Sequence, residues 1–100
     1  MKKILLVCNA GMSTSLLVNK MKEAVAKESE EYQINAHPIS EVKEKGADCD
    51  IILLGPQVRF QLNKVKEMLP GKKIMVIDMA AYGTMNGAKV VADAKKEMGI

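Results

Sequence analysis

Short, wholly apolar runs separated by longer amphipathic stretches set the pattern of this chain. Ile4–Val7 and Ile51–Leu54 are apolar at every position, which is typical of parallel strands buried on both faces. Tyr32–Ala36 alternates in part, as expected of an edge strand. The predicted strands are Lys3–Val7, Tyr32–Ala36, Asp50–Leu54 and Lys73–Ile77.

The stretches between the strands carry apolar residues at helical spacing. In the first of them, the apolar residues follow the helical period at Leu16, Leu17, Met21, Ala24 and Val25. The segment from Met79 to Met85, after the fourth strand, is predicted to be a loop rather than a helix. The predicted helices are about Ser13–Lys27, a short one over Ser40–Lys45 capped by Ser40, one with Val58, Leu62, Val65 and Leu69 inside, and a last one opened by Asn86 or Gly87.

This alternation of strands and helices predicts an α/β fold. We expect one domain over residues 1–100, with an open four-stranded parallel sheet in the order 2-1-3-4 and helices on both faces. In such sheets, ligands bind beyond the carboxyl ends of the strands, where the strand order reverses. The site is therefore expected beside the ends of the first and third strands.

The composition excludes several classes of function. Aromatic residues make up 3% of the 100 residues and the net charge is +3, which argues against a single-stranded nucleic-acid binder. No apolar stretch approaches the ~20 residues that span a bilayer, so we expect a cytoplasmic protein. Cys8 and Cys49 lack metal-ligand spacing and are expected to be free thiols. No metal or organic cofactor is implied.

Cys8 is the strongest candidate for chemistry, because it lies where a buried strand stops and a helix begins. A helix amino terminus offers unpaired N–H groups and partial positive charge, which together bind anions. Such a site favours the thiolate, the nucleophilic form of cysteine, and also suits a phosphoryl group bound to sulfur. The phosphate-binding loop is predicted to comprise Asn9, Ala10, Gly11, Met12, Ser13, Thr14 and Ser15.

Two further segments are expected at the same edge of the sheet, and they supply candidate site neighbours. Pro56 and Gln57 follow the third strand, and Pro56 is expected beside Cys8. Asp78 follows the fourth strand and is either a general acid or simply the end of that strand. Tyr82 either closes over the site or packs on the last helix. We expect His37, Cys49 and Arg59 to have no role in the chemistry.

The stretch Leu6–Ser15 resembles the active loop of enzyme IIB of the lactose/cellobiose type, from the bacterial phosphoenolpyruvate-dependent sugar phosphotransferase system. The resemblance extends over the whole chain, through Leu53–Gln57, Val76–Asp78 and Tyr82–Gly83. It implies that Cys8 becomes a phosphocysteine. The donor would be a phosphohistidine of the IIA component (EIIA). The acceptor would be a sugar bound in the membrane component IIC (EIIC), with a β-linked disaccharide such as cellobiose or chitobiose favoured over lactose. The IIB protein itself is expected to be monomeric.

The alternative function is that of a cysteine phosphatase. The Cys8 loop is similar in plan to that of low-molecular-weight tyrosine phosphatases, which also form a phosphocysteine on a parallel sheet. Those enzymes have an arginine six residues after the cysteine, where this chain has Thr14. A bidentate arginine would stabilise the charge of the transition state, so its replacement favours a phosphocarrier. A thiol redox role would require a Cys-x-x-Cys pair, and this chain has none.

Overall fold

The computed structural model of the protein describes residues 2–8, 11–28 and 31–99, and over residues 11–14 it describes the backbone alone. Within these residues the strands are β1 (Lys2–Cys8), β2 (Tyr32–Pro38), β3 (Ile51–Leu54) and β4 (Lys73–Val76). The α-helices are α1 (Gly11–Val25), α2 (Val42–Lys45), α3 (Leu62–Met68), α4 (Met79–Gly83) and α5 (Gly87–Met98), and 3₁₀ helices at Ile39–Glu41 and Pro56–Gln61 precede α2 and α3.

The described strands form one parallel sheet in the order β2-β1-β3-β4, as the sequence predicted. β1 is a central strand because its apolar run can be buried on both faces. In the register of the sheet, Val7 lies between His37 of β2 and Leu54 of β3. Cys8 lies opposite Pro38. The reversal of strand order therefore falls beside the carboxyl end of β1.

Successive residues of the central strands point to opposite faces of the sheet. Ile4 and Leu6 pack on the face covered by α1 and α5, which we call the α1/α5 face. Leu5 and Val7 pack on the other, the α3 face, together with Val65 of α3. Burying both rows takes apolar area out of water, which is the main favourable term in folding.

The helix after β4 corrects one prediction from the sequence. We expected a loop over Met79–Met85, but Met79–Gly83 forms the short helix α4. Asp78 caps it, since its Oδ2 accepts a hydrogen bond from the backbone N–H of Ala81 at 3.0 Å. Ala81 is buried in the core of the α1/α5 face. The cap and this one buried contact hold a helix that is too short to show a periodic pattern.

Two predicted helix starts are also shifted. α1 runs from Gly11 to Val25, two residues earlier at each end than expected. Ser40 does not cap a helix, because it lies inside the 3₁₀ helix that begins after Pro38. Proline has a fixed φ and no N–H group, so the strand ends there and the chain turns at once. The last helix, α5, begins at Gly87, one of the two predicted starts, and Asn86 caps it, with its Oδ1 accepting from Lys89 N at 3.1 Å.

No helix in the described ranges is long and apolar enough to cross a membrane.

Candidate functional site

Cys8 is the last residue of β1, and α1 begins three residues later at Gly11. Cys8 is only 1% exposed. The first turn of α1 contains no acidic residue, so the helix itself brings no carboxylate against the partial positive charge of its amino terminus. The thiol therefore stands at the carboxyl edge of the sheet, directly before the positive end of a 15-residue helix.

Gly55 lies beside Cys8 in the sheet. The ladder between β1 and β3 pairs Val7 with Leu54, and Gly55 N donates to the carbonyl oxygen of Val7 at 2.8 Å. Gly55 is therefore the next residue in register, opposite Cys8. Its backbone is extended, with φ −60° and ψ 152°. On the other side of Cys8 the register partner is Pro38, so neither neighbour in the sheet brings a polar side chain.

Cys8 and Gly55 lie on the α1/α5 face. Leu6 and Leu53 belong to that face, whereas Val7 and Leu54 belong to the α3 face. Because side chains alternate along a strand, the next residue of each strand returns to the α1/α5 face. Cys8 is thus on the side of the sheet that α1 covers.

The side chain of Gln57 occupies the space over Gly55. A Cβ atom added at Gly55 would lie 2.5 Å from Oε1 of Gln57, so the glycine leaves room for this amide. The other end of the amide, Nε2, donates to the hydroxyl oxygen of Tyr82 at 2.8 Å. Pro56 is half-buried and opens the 3₁₀ helix that carries Gln57. The predicted neighbours Gln57 and Tyr82 are therefore in direct contact.

Tyr82 contacts both the protein core and Gln57. Its half-buried ring packs against the core of the α1/α5 face, while its hydroxyl reaches Gln57 above the end of β3. Asp78 is exposed, and its carboxylate caps α4. The structure thus gives Asp78 a structural contact that holds the helix of Tyr82 in place.

The family model described as "PTS system, Lactose/Cellobiose specific IIB subunit" matches residues 3–93. The chain belongs to this family. IIB components of the sugar phosphotransferase system are phosphotransferases that work with IIA and IIC components, and this chain is a IIB component of the lactose/cellobiose type.

Relatives of this IIB chain differ in the sugar that their names carry. The galactose-specific EIIB component of Lactococcus lactis subsp. cremoris (strain MG1363) is 42% identical, over 97% of this chain and 96% of the relative. The oligo-beta-mannoside-specific EIIB component of Bacillus subtilis (strain 168) is 44% identical, over 94% and 93%. The cellobiose-specific EIIB component of Lactococcus lactis subsp. lactis (strain IL1403) is 42% identical, over 97% and 96%.

Solved IIB structures share the fold. The cellobiose-specific phosphotransferase IIB component protein of Borrelia burgdorferi matches with a TM-score of 0.81 and 36% identity, over 98% of this chain and 92% of that one. The lactose-specific IIB component domain of Streptococcus pneumoniae also gives a TM-score of 0.81, over 96% of both chains. At 20% identity, the second match shows similarity of fold alone.

The other polar candidates of this IIB chain lie away from Cys8. His37 is in register with Val7 and so faces the α3 side, where its Nδ1 lies 3.0 Å from Oε1 of Glu41. Cys49 precedes β3 at the amino edge of the sheet, and its Sγ donates to the carbonyl oxygen of Lys45 at 3.3 Å. Arg59 is exposed.

Burial raises the pKa of the Cys49 thiol, and the neighbouring Asp48 carboxylate raises it further. The two cysteines of this protein therefore sit in different settings. Cys8 precedes a helix amino terminus, whereas Cys49 lies beside an acidic side chain.

Part of the predicted phosphate-binding loop lies outside the described residues. Asn9 and Ala10 are not described, and Gly11, Met12, Ser13 and Thr14 are described only as helical backbone. Ser15 is exposed on α1. Within the part of the chain that is described, no three His, Cys, Asp or Glu side chains are grouped to hold a metal ion. Gly55 was not among the site residues predicted from the sequence, although a glycine directly after a buried apolar run was the available signal.

Proposed function

We propose that Cys8 accepts a phosphoryl group from a phosphohistidine of EIIA and passes it to a sugar bound in EIIC. The observation that carries this proposal is the position of Cys8, at the end of β1 and directly before the amino terminus of α1. A developing phosphoryl anion on Sγ would meet the helix dipole and its unpaired N–H groups. The loop Asn9–Ser15 supplies further amides and hydroxyls.

The reaction consists of two transfers at one sulfur. In the first, the Cys8 thiolate attacks the phosphorus, an S–P bond forms, and the N–P bond of the donor breaks. The donor imidazole keeps the bonding electron pair and takes up a proton. In the second, a sugar hydroxyl oxygen attacks the phosphorus and the S–P bond breaks. The thiolate returns, and the hydroxyl proton passes to a base on the acceptor side.

Three exposed apolar side chains support docking of protein partners at the same edge. Among side chains that the structure describes, the large exposed hydrophobic ones are Leu16 (50%), Phe60 (73%) and Met79 (61%). Each follows the carboxyl end of β1, β3 or β4 by at most eight residues. All three belong to segments that leave the carboxyl edge of the sheet, the edge that a partner of Cys8 must approach. Because Cys8 is buried, a docking donor must displace the atoms that cover the sulfur.

A phosphocarrier fits these residues better than a phosphatase. Burial of Cys8 limits the access of water to an S–P bond, and position 14 is Thr14 rather than arginine. The Asp78 carboxylate, the candidate general acid, is engaged as a helix cap. We place the protein in the cytoplasm as a monomer that meets EIIA and EIIC in turn, with a β-linked disaccharide such as cellobiose or chitobiose as the final acceptor.

Reconstitution tests the complete reaction. Membrane vesicles that contain EIIC are supplied with phosphorylated EIIA, this chain, and cellobiose, chitobiose or lactose in separate reactions. We expect sugar phosphate from cellobiose or chitobiose with the wild-type chain and none with Cys8→Ser, because a serine hydroxyl is a far weaker nucleophile than a thiolate unless a base activates it. Sugar phosphate formed at the wild-type rate by Cys8→Ser would overturn the proposal.

A further inference from the structure

The segments that leave the carboxyl edge of the sheet after β1, β3 and β4 are poor in charge. Charged residues make up 27% of the chain. Residues 9–16, 55–62 and 77–84 nevertheless contain only Arg59 and Asp78 as charged residues. The carboxylate of Asp78 caps α4. Arg59 is therefore the one charged side chain of these segments that is not engaged in holding the fold.

Arg59 has no acidic partner within the described protein. Its side chain is exposed in the 3₁₀ helix Pro56–Gln61. No acidic residue occurs between Asp50 and Glu67, so no carboxylate stands at the spacing of three or four residues that allows contact along a helix. Among the described residues, Arg59 forms no ion pair. Its guanidinium is open to an acceptor that another molecule brings.

Docking on Phe60 would also take Arg59 out of water, because the two residues are consecutive. Phe60 is 73% exposed, whereas the preceding Val58 is buried in the core of the α3 face and fixes this helix to the sheet. A charge that is covered without a counter-charge costs free energy. A carboxylate removes that cost, since it accepts two parallel charge-assisted hydrogen bonds from a guanidinium.

We propose that EIIA places a carboxylate against Arg59 when it docks on this edge. The inference rests on the proposed function, in which EIIA is the phosphoryl donor. EIIA arrives with an anionic phosphoryl group, whereas the sugar acceptor in EIIC is uncharged, so an unpaired cation at this edge favours the donor. The matching surface of EIIA is thus apolar where it covers Phe60 and acidic directly beside that contact.

The first test removes the charge of Arg59 and compares it with an equal change elsewhere. Lys73→Gln is the matched control for Arg59→Gln, because Lys73 is exposed at the amino end of β4, on the opposite edge of the sheet. Initial rates of phosphoryl transfer are measured against the concentration of phosphorylated EIIA. We expect Arg59→Gln to raise KM roughly tenfold with kcat unchanged. Lys73→Gln should keep the wild-type KM.

Ionic strength provides a second readout of the same contact. Salt screens charges that lie near the surface. The KM of the wild type and of Lys73→Gln should rise when sodium chloride is raised from about 0.05 to 0.3 M. The KM of Arg59→Gln should rise less. Identical salt dependence in all three proteins would contradict a pairing that is specific to Arg59.

Charge reversal on both proteins identifies the carboxylate. Arg59→Glu is combined with variants of EIIA in which each exposed Asp or Glu is replaced in turn by Arg. We expect one such variant to lower the KM of Arg59→Glu while raising that of the wild type, which is the coupling that a double-mutant cycle measures. The absence of coupling at every acidic position of EIIA would overturn the inference.

Failure of the inference and failure of the proposed function give different results. If Arg59 does not contact EIIA, the wild type still transfers the phosphoryl group and Arg59→Gln has the same KM. A loss in Arg59→Gln that is confined to transfer from the phosphorylated chain to EIIC and sugar would overturn the inference too. If Cys8 is not the acceptor, Cys8→Ser is phosphorylated by EIIA as well as the wild type is.

Discussion

Gly87 of α5 lies against the backbone of α1 at Met21. A Cβ atom at Gly87 would come within 2.5 Å of Met21 N and 2.4 Å of the carbonyl carbon of Lys20. Backbone atoms cannot move aside as a flexible side chain can, so only glycine permits this approach. The contact holds the start of α5 to the middle of α1, the helix that begins beside Cys8.

Gly87→Ala should therefore destabilise the protein. We expect the free energy of unfolding to fall by about 1–3 kcal/mol, the usual cost of overpacking. Gly83→Ala is the matched control, because a Cβ there meets no atom within 4 Å. It should leave stability unchanged or raise it by roughly 0.4–1 kcal/mol. Urea unfolding followed by circular dichroism measures both, and equal stability of the two variants would contradict the close contact.

The Cys49 thiol should react slowly with alkylating agents in the folded protein. Its pKa is raised by burial and by Asp48, and only the thiolate is nucleophilic. The pH midpoint of alkylation by iodoacetamide should therefore be higher in the folded protein than in guanidinium. Cys8→Ser makes Cys49 the one cysteine in the chain, which isolates its reaction. A folded midpoint at or below the unfolded one would contradict this prediction.

The raised pKa of Cys49 also makes the stability of the fold depend on pH. A thiol with a raised folded-state pKa loses its proton first in the unfolded chain, so unfolding is favoured as the pH rises. Below the unfolded pKa, the Cys49 thiol is protonated in both the folded and the unfolded chain, so it does not make the free energy of unfolding depend on pH. Stability should then decrease between the unfolded and the folded pKa. Cys49→Ala should flatten this alkaline decline in urea midpoints measured against pH.

Phe60 should contribute to docking of EIIA. It is 73% exposed, so Phe60→Ser should change the free energy of unfolding by no more than about 0.5 kcal/mol. If the ring is buried by the donor, the KM for phosphorylated EIIA should rise roughly tenfold, corresponding to about 1.4 kcal/mol, with kcat unchanged. Gln33→Ser, an exposed uncharged position in β2, serves as the control. Equal KM values for both variants would remove Phe60 from the docking surface.

The protein should not act as a phosphatase. Losing one charge-stabilising donor costs roughly 3–4 kcal/mol in a transition state, and Thr14 stands where the phosphatases have a bidentate arginine. We expect negligible turnover of an aryl phosphate and a phosphoprotein that persists in buffer until EIIC and sugar are added. Steady aryl phosphate turnover that disappears in Cys8→Ser would favour the phosphatase interpretation.

The sheet could be predicted from the sequence because its strands are nearly uninterrupted apolar runs. Side chains on both sides of a strand are apolar in Ile4–Val7 and Ile51–Leu54. Both sides must therefore be buried, which places these strands at the centre of the sheet. The helix α4 could not be predicted in the same way. Its five residues are fixed by the Asp78 cap and the burial of Ala81, and neither leaves a periodic signal.

The candidate site was likewise predictable from the sequence only in part. The position of Cys8 between strand and helix followed from local pattern alone. The contact between Gln57 and Tyr82 joins residues 25 positions apart, and it depends on side-chain conformations and on the missing Cβ of Gly55. The sequence predicted both residues at one edge of the sheet, but their contact follows only from the three-dimensional arrangement.

Locating the phosphoryl group tests the central claim most directly. Wild type, Cys8→Ser and Cys49→Ser are incubated with phosphorylated EIIA, and the modified residue is identified by mass spectrometry of peptides. We predict one phosphoryl group on Cys8 in the wild type and in Cys49→Ser, and none in Cys8→Ser. A phosphoryl group on His37, or undiminished phosphorylation of Cys8→Ser, would contradict the account.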